Sequence, residues 1–430
     1  MANCKIVMEG LMVRAQKIYN HMQLYVKGQD RALKQIATVV ALHLNRCQYN
    51  QHHVTPLHNK ENAIIMGATG TGKTETFRAL ATYPKLNCPL VEVNALQYAP
   101  TGWKGSKSLP EIGEEIFRQA YFKSQLTELT AQNVDQVIEI AERAIICLDE
   151  FDKRRFNRQM SLDHQAFEMS YQGDLLKIME GTTLEVQVND IPRIYLRTDN
   201  MLFILMGAFN GFDEEYISRR VGFSLPSNNQ EKAANHTGFI KAESRNNDTV
   251  KGHENDEFVK RDIVKGKPVK EDIIKGDAIK RDEIIGDTIK SSFTNANTLH
   301  WTNEITDRQL IHYGFMEELV GRAPWRIRYE ALDAASLVDI LKSSKHSVLE
   351  EYKVLFAFLG NQLDITQGAY EAIADRALTY KTGARALSTV VKEVLDSAFF
   401  DILNNHKLLI KMDKQAVISR QVKLQKIRNH

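Results

Sequence analysis

The chain has 430 residues, of which 43% are hydrophobic and 26% are charged, and its formal net charge is +2 at pH 7. This length allows about two or three domains, and the composition is ordinary for a globular protein. A charge so near zero gives no general attraction to nucleic acid or to an anionic membrane, and no run of about 20 apolar residues predicts a transmembrane helix. We therefore expect neither nucleic acid nor a membrane among the partners.

The N-terminus and the cysteines favour a cytoplasmic location. The first residues lack the long apolar stretch of a secretory signal. The cysteines form no C-x-x-C pair, which predicts neither a disulfide framework nor a zinc site. They are Cys4, Cys47, Cys88 and Cys147.

Apolar runs in the first half of the chain predict an α/β fold. Continuous apolar runs of strand length, separated by segments with helical spacing, are typical of buried strands in a parallel sheet. We therefore expect a multistranded, mostly parallel sheet flanked by helices. The helical spacing covers residues 9–24 and 29–46, and the strand-like runs cover residues 63–66, 89–93, 144–148 and 201–206.

A glycine-rich loop after the run 63–66 matches G-x-x-x-x-G-K-[ST], the pattern of a phosphate-binding loop that opens a helix. Its glycines let the backbone wrap a polyphosphate, and the first N–H groups of the helix point at it. Lys73 would reach the β- and γ-phosphates, and the Thr74 hydroxyl would ligate Mg²⁺. The loop predicted to bind a nucleoside triphosphate consists of Gly67, Ala68, Thr69, Gly70, Thr71, Gly72, Lys73 and Thr74.

An acidic pair, Asp149 and Glu150, follows the strand-like run 144–148. An aspartate at the end of a strand beside a phosphate loop can hold Mg²⁺, and the adjacent glutamate can polarise the attacking water. Acidic pairs are common after strands, but here the pair follows Lys73 and Thr74 in the order that an ATPase site requires. We expect hydrolysis of the nucleotide as well as binding.

The composition changes between about residues 226 and 305, where Asn, Lys, Asp and Glu dominate. A ten-residue repeat covers residues 258–290, and each unit closes on a glycine. No unit carries enough apolar surface to fold alone, which favours a disordered insertion. A small β-ribbon is the alternative, because Ile/Val pairs bounded by glycine suit short strands.

After residue 306 the apolar spacing is helical again, which predicts a separate small helical domain with a basic tail from Lys407 onward. The domain organisation expected from these patterns has three parts. They are a helical lead-in over 1–24, a large domain over 25–328 that the insertion interrupts, and a small helical domain with its tail over 329–430.

From about Tyr25 to about Ile402, a series of short motifs resembles the ClpX unfoldases of the AAA+ class. The resemblance implies an AAA+ P-loop NTPase large domain and a small α-helical C-terminal domain, and it breaks over the low-complexity repeat insertion. Because the chain begins almost at the AAA+ module, we expect it to lack the family's N-terminal zinc-binding domain and the adaptor-mediated choice of substrates. The motifs lie at residues 26–32, 148–153, 174–182, 207–213, 314–322 and 381–385.

The resemblance implies ATP and Mg²⁺ as cofactors, with Val26 and Lys27 at the adenine. Arg322 would be an arginine finger that acts on a neighbouring subunit's γ-phosphate, and Arg385 would be the sensor-2 arginine. Asn210 would sense the γ-phosphate. Without the resemblance to the family, Arg322 would be interpreted as an ordinary surface arginine and Arg385 as a salt-bridged helix residue. A finger acting in trans requires a ring, and the family implies a homohexamer.

Residues Gly102, Trp103, Lys104 and Gly105 lie where the family carries its axial pore loop. An aromatic ring between glycines can grip any polypeptide, and the glycines let the loop move during turnover. Trp and Lys replace the family's Tyr and Val here. The alternative is that Trp103 packs in the core.

Three further segments depart from the family. Lys27 replaces an apolar residue expected at the adenine. The segment after Thr182 is short and lacks the family's basic pore-entrance loop, although Arg193 and Arg197 lie in it. The tripeptide that docks on the ClpP peptidase appears only as Val221, Gly222 and Phe223.

These features lead to one main function and three alternatives. The main hypothesis is an ATP-dependent unfoldase and translocase, a hexameric ring that threads protein substrates through its pore, with a ClpP-like peptidase as a candidate partner. A stand-alone remodelling chaperone without a peptidase is the second reading. A nucleic-acid-handling AAA+ ATPase of the helicase-loader type and a nucleotide-gated scaffold are the others. The near-neutral charge and the ClpX-like small domain argue against nucleic acid.

Overall fold

The computed structural model describes residues 12–103, 107–157, 159–187, 193–212 and 305–426. The chain divides into two units, and all described residues belong to the first, Met1–Gly222 with Trp301–His430. The repeat insertion and the tripeptide at 221–223 lie outside the described residues.

A five-stranded sheet forms the centre of the large domain, with the strand order β2-β5-β8-β1-β9. Every neighbouring pair is parallel. This arrangement confirms the predicted fold class. The strands are β1 (Ala63–Met66), β2 (Leu90–Asn94), β5 (Ile145–Asp149), β8 (Leu202–Gly207) and β9 (Trp325–Arg328).

Both faces of this sheet are buried, which explains the continuous apolar runs in the sequence. Ile64 and Met66 of β1 belong to one hydrophobic cluster, whereas Ala63 and Ile65 belong to another. This division follows from the alternation of side chains along a strand. The second cluster also contains Ile18 from the lead-in helix. That helix is therefore packed into the large-domain core.

A third hydrophobic cluster, which runs from Leu332 to Val417, forms the core of the small domain. Strand β9 and Tyr329 still belong with the large domain, because the Tyr329 N–H donates to the Met66 carbonyl at 2.8 Å. Between residues 329 and 332 the chain thus passes from the large-domain core to the small-domain core. The finer domain limits, including the boundary at 328/329, stay predictions.

The expected basic tail after Lys407 is folded. Strand β11 (Leu408–Met412) pairs with β10 (Gln362–Ile365) in parallel and with β12 (Lys423–Lys426) in antiparallel orientation. Leu408, Ile410 and Met412 are buried, and the residues between them are partly exposed. Lysines surround this short alternating pattern, so composition alone suggested a tail.

Helices cover the sheet and build most of the small domain. Among the described residues, none of the helices is both long and apolar enough to cross a membrane. The helices are α1 (Ala15–Met22), α2 (Asp30–His52), α3 (Lys73–Ala81), α4 (Ile112–Ser124), α5 (Val134–Ala141), α6 (Leu162–Glu180), α7 (Asp307–Tyr313), α8 (Glu317–Gly321), α9 (Ala334–Ser343), α10 (Val348–Phe358), α11 (Gln367–Thr379), α12 (Arg385–Asn404) and α13 (Lys414–Ser419). The short strands are β3 (Tyr98–Ala99), β4 (Lys107–Ser108), β6 (Thr183–Val186) and β7 (Ile194–Arg197).

Two phenylalanines of α10 provide a matched test of the small-domain core. Phe356 is 1% exposed and Phe358 is 86% exposed. We expect Phe356→Ala to lower the free energy of unfolding of this domain by about 3–5 kcal/mol, because it leaves a cavity, and Phe358→Ala to change it by less than about 0.5 kcal/mol. Hydrogen exchange of the α11 and α12 amides measures both values. Similar effects of the two substitutions would contradict the assignment of this core.

Candidate nucleotide site

The loop 67–74 connects β1 to α3 and has the backbone conformation that its glycines allow. Gly70 has φ +78° and Gly72 has φ +102°, in the left-handed region that glycine adopts at little cost. Helix α3 begins at Lys73, directly after Gly72. Its first N–H groups are therefore available to an anion at the loop.

Lys73 is bound to its own loop. Its Nζ donates to the carbonyls of Gly67 at 2.5 Å and Ala68 at 3.0 Å, and the residue is only 8% exposed. Burial lowers the pKa of Lys73 to about 8, against the opposing effect of Asp149 and Asp152. A phosphate arriving at this loop would be a stronger partner than the two carbonyls.

The predicted magnesium ligands face each other. The Thr74 hydroxyl donates to Oδ2 of Asp149 at 3.4 Å, from the first turn of α3 to the end of β5. A hydroxyl and a carboxylate oxygen are hard donors of the kind that Mg²⁺ uses together with phosphate oxygens and water. This donor pair fits the ion that the sequence predicts.

Glu150 lies one residue past β5 with a left-handed backbone, φ +57°. Its Oε2 accepts a hydrogen bond from Asn94 Nδ2 at 3.0 Å and faces Lys153 Nζ at 3.0 Å. The hydrogen bond from Asn94 has the larger effect in lowering the pKa of Glu150, and the hydrogen bond from Lys153 lowers it further. The carboxylate is therefore ionised, as a base that orients water must be. Asn94, at the end of β2, was not identified from the sequence, although it directly follows a strand-like run.

Asp152 is a second residue that sequence reasoning missed. It is 6% exposed and its Oδ2 accepts from the Phe209 N–H at 3.1 Å, while burial raises its pKa. A Cβ on Gly207 would lie 2.1 Å from its Oδ1, so the end of β8 needs glycine here. This contact fixes the segment after β8 beside the end of β5. Asn210 consequently lines the same cleft.

The small domain contacts the phosphate loop through backbone. The Ala384 N–H donates to the Gly70 carbonyl at 2.9 Å. A Cβ on Gly383 would lie 2.6 Å from that carbonyl, and one on Gly70 would lie 2.1 Å from the Thr382 carbonyl. Arg385 begins α12 directly after this contact and lines the cleft.

The cleft between the two domains has a volume of about 660 Å³. The phosphate loop, Asp149 and Glu150 line it, and so do Val26 and Lys27. His346 also lines the cleft and stacks edge-on against Tyr25 with ring centroids 4.8 Å apart. A Cβ on Gly72 would lie 3.1 Å from Val26 Cγ1, so Val26 lies against the phosphate loop. The cleft therefore combines the predicted phosphate and base residues in one space.

Arg322 is not among the residues that line this cleft. It follows α8, and its Nη2 and Nε donate to Oε1 of Glu180 at 2.7 and 3.0 Å. Its side chain is 57% exposed. The structure thus does not bring Arg322 to the site of its own chain, and it leaves the guanidinium at the surface.

Trp103 is 43% exposed, which excludes the alternative of a core tryptophan. Its ring meets Phe167 of α6 edge-on at 4.9 Å between centroids. Gly102 has φ +89° with open space around it. The Thr101 N–H donates to Asp174 of the same helix at 2.7 Å, which holds the base of the loop. Lys104 and Gly105 lie outside the described residues.

Strands β6 and β7 form the hairpin that follows α6, and its arginines are paired. Arg193 contacts Glu185 at 3.0 Å, and Arg197 contacts Glu142 at 3.6 Å. The described part of this hairpin therefore does not present these two arginines as unpaired cations.

Comparisons with known proteins agree with this geometry. Residues 63–219 match the family described as "ATPase family associated with various cellular activities (AAA)". "ATP-dependent Clp protease ATP-binding subunit ClpX 2" of Wolinella succinogenes is 26% identical over 397 residues, which cover 90% of this chain and 78% of that protein. The ClpX subunit of Bacteroides fragilis is 26% identical over 393 residues, covering 90% and 76%.

The parallel sheet, the phosphate loop and the AAA match define an AAA+ ATPase. Within this class, the chain is similar to these ClpX subunits over 90% of its length.

The lowered pKa of Lys73 predicts a pH-dependent affinity for nucleotide. With a pKa of about 8, the free protein carries the Lys73 cation at pH 7 and loses it as the pH rises to 9. Bound phosphates favour the protonated form, so binding at high pH takes up a proton. We expect the Kd for MgADP to rise by about ten-fold from pH 7 to pH 9. Calorimetry in buffers with different ionisation enthalpies measures both the Kd and the proton uptake.

Lys60 provides the control, because burial also lowers its pKa to about 8. It donates to the carbonyls of Met179 and Thr198 at 2.7 and 2.8 Å and does not line the cleft. Lys60→Arg should keep the pH dependence of MgADP binding. A flat profile in the wild-type protein would show that Lys73 does not titrate in this range.

Proposed function

We propose that the chain is an ATP-dependent protein unfoldase and translocase of the ClpX type that works as a homohexameric ring. The observation that carries the proposal is that the phosphate loop, Asp149 and Glu150 line one cleft, while the exposed aromatic residue Trp103 lies outside it. An enzyme that only hydrolysed ATP would need the first and not the second.

In the cleft, Lys73 and the α3 N-terminus would hold the phosphates, and Glu150 would orient the attacking water. Bound Mg²⁺, held through Thr74 and Asp149, would neutralise charge on the β- and γ-phosphates. The Asn94 hydrogen bond keeps the Glu150 carboxylate at the end of β2. Whether this hydrogen bond is kept or broken would therefore determine where the carboxylate points. Arg385 and Asn210 would complete the γ-phosphate end.

Arg322 would act on the site of a neighbouring copy. Its exposure and its distance from the cleft of its own chain support this role, because a cation is needed at the γ-phosphate in the transition state. On ring assembly, the Arg322 side chain would then leave Glu180 and reach the neighbouring site. A surface pair of this kind is worth only about 0–1 kcal/mol, so a phosphate can displace it.

Protein substrates would be gripped by Trp103 and moved as its loop swings. Helix α6 supports this loop through Phe167 and Asp174, and the same helix ends at Glu180, the partner of Arg322. One rigid element thus spans the proposed gripping residue and the proposed finger. Delivery to a ClpP-like peptidase rests on the sequence of residues 221–223 alone, and a stand-alone remodeller fits the described residues equally well.

The test separates unfolding from ATP hydrolysis. We expect Trp103→Ala to keep ATPase activity within about two-fold of wild type but to lose at least about ten-fold in the unfolding rate of a fluorescent protein carrying any of a panel of unstructured tails, because apolar grip is removed. Glu150→Gln provides the reference without hydrolysis, and loss of fluorescence measures unfolding.

Phe122→Ala is the matched control, since Phe122 is an aromatic residue 70% exposed on α4 and outside the cleft. It should unfold substrates at the wild-type rate. Equal unfolding rates for Trp103→Ala and wild type, or no unfolding of any tailed substrate by an ATPase-active wild type, would contradict the proposal.

A further inference from the structure

Arg154 is a buried cation close behind the proposed catalytic base. It ends the short 3₁₀ helix Phe151–Arg154, which begins directly after Glu150. The residue is 5% exposed and does not line the nucleotide cleft. A buried guanidinium stays charged and needs partners for its N–H donors, since leaving them unpaired is costly. The contacts of Arg154 therefore fix its position.

The guanidinium binds the backbone that follows β2. Nε and Nη2 donate to the Ala95 carbonyl at 3.2 and 3.0 Å, and Nη2 also donates to the Tyr98 carbonyl at 2.7 Å. Ala95 directly follows Asn94, whose side chain holds Glu150. A change in the bond between Asn94 and Glu150 would therefore reach the guanidinium through the adjoining residue.

The guanidinium also lies over two aromatic rings of α6. The Arg154 Cζ is 4.5 Å from the ring centroid of Tyr171 and 5.1 Å from that of Phe167. Phe167 is the residue whose ring meets Trp103 edge-on. Cation–π attraction favours such contacts, and it is stronger where the cation is desolvated. Guanidinium, phenylalanine and indole thus form one series of contacts.

Arg154 reaches Trp103 by a second route, through the backbone. The Tyr98 carbonyl that it binds belongs to β3, the short strand before the Trp103 loop. Within that loop the Trp103 N–H donates to the Pro100 carbonyl at 3.3 Å. A shift of the guanidinium would therefore act both on the ring against which the indole packs and on the backbone that carries it.

Glu168 offers Arg154 a second arrangement. Its Oε1 accepts from Nη1 of Arg154 at 3.2 Å, but its Oε2 is buried and has no hydrogen-bond partner in the described part of the chain. Burial raises the pKa of Glu168, and the Arg154 charge opposes this effect. A carboxylate binds arginine most strongly through two parallel N–H···O bonds. That bidentate pair would become available once the guanidinium releases the Ala95 carbonyl.

We propose that Arg154 is a positioning residue that transmits the nucleotide state from Glu150 to the Trp103 loop. This inference rests on the proposed function, in which Glu150 orients the attacking water and Trp103 grips the substrate. Coupling between two sites requires an element with two discrete arrangements that both sites bias. The guanidinium is that element.

The two arrangements differ in what Arg154 binds. With ATP bound, Glu150 leaves Asn94 for the attacking water, and the backbone at Ala95 shifts. The guanidinium then exchanges the Ala95 carbonyl for the second oxygen of Glu168. The aromatic ring between the guanidinium and the indole follows this movement, and the exposure of the indole changes.

Acrylamide quenching of Trp103 fluorescence tests the inference without relying on substrate unfolding. The chain has three tryptophans, and the double variant Trp301→Phe/Trp325→Phe leaves Trp103 as the only one. The measured quantity is the ratio of the quenching constants in the complexes with a slowly hydrolysed ATP analogue and with MgADP. We expect the two constants to differ by about two-fold, because the nucleotide shifts the population of the two arrangements.

Two substitutions in this double variant interrupt the series of contacts. Arg154→Lys keeps the charge but loses the planar fork, and Phe167→Leu, at a half-buried position, keeps an apolar side chain but loses the ring. Each should reduce the difference between the quenching constants at least about two-fold and leave the Kd for MgADP within about two-fold of its value in the double variant. A purely structural role of Arg154 would lower thermal stability and leave the ratio unchanged.

Phe122→Leu is the matched control. It removes a similar contact on α4, where the Arg118 Cζ lies 5.8 Å from the Phe122 ring centroid. It should leave the quenching ratio unchanged.

A quenching ratio of one in the double variant would overturn the inference. So would a ratio that Arg154→Lys or Phe167→Leu leaves unchanged in a folded protein. Unfolding of tailed substrates by the same double variant would show that the proposed function stands in either case. A ratio that responds to nucleotide and to both substitutions, in a protein that unfolds no tailed substrate, would contradict the proposed function and leave the coupling from Glu150 to Trp103 in place.

Discussion

A backbone hydrogen bond joins the phosphate loop to the small domain, and Gly70 and Gly383 lie against each other beside it. The Gly70 carbonyl accepts from the Ala384 N–H, and neither Gly70 nor Gly383 has space for a Cβ. Any phosphate bound at Gly70 is therefore next to the residue that begins α12. Because the contact has no side chain that could adapt, a shift of the loop must either break it or move the small domain. We therefore expect the arrangement of the large and small domains to depend on what the loop binds.

The rest of the cleft follows from the order of the parallel strands. The phosphate loop leaves the carboxyl end of β1, Asp149 and Glu150 follow β5, and Asn210 follows β8. Carboxyl ends of neighbouring parallel strands meet at one edge, which is where α/β sheets bind ligands. Asn94 at the end of β2 reaches Glu150 across this edge. The site therefore combines one edge of the sheet with a wall from the small domain.

Local patterns in the sequence were sufficient to predict four of the five strands of the sheet, which are mostly apolar runs, and the phosphate loop, which is a contiguous motif. Strand β9 was not predicted, because arginines alternate with apolar residues along it. The bond from Asn94 to Glu150 was not predictable, since it depends on the neighbourhood of β2 and β5 rather than on any local pattern. The approach of Gly383 to Gly70 joins segments remote in the chain, and only the fold reveals it. Strand β11 was not predicted, because lysines lie within and beside it, although its alternate residues Leu408, Ile410 and Met412 are buried.

We expect nucleotide in the cleft to set the arrangement of the large and small domains. Dyes attached at Lys85→Cys on the large domain and Asn404→Cys on the small domain, both exposed positions, allow single-molecule energy transfer to measure this arrangement. The distribution of dye–dye distances should differ between the nucleotide-free protein, the MgADP complex and the complex with a slowly hydrolysed ATP analogue. One unchanged distribution under all three conditions, at nucleotide concentrations that saturate binding, would contradict it.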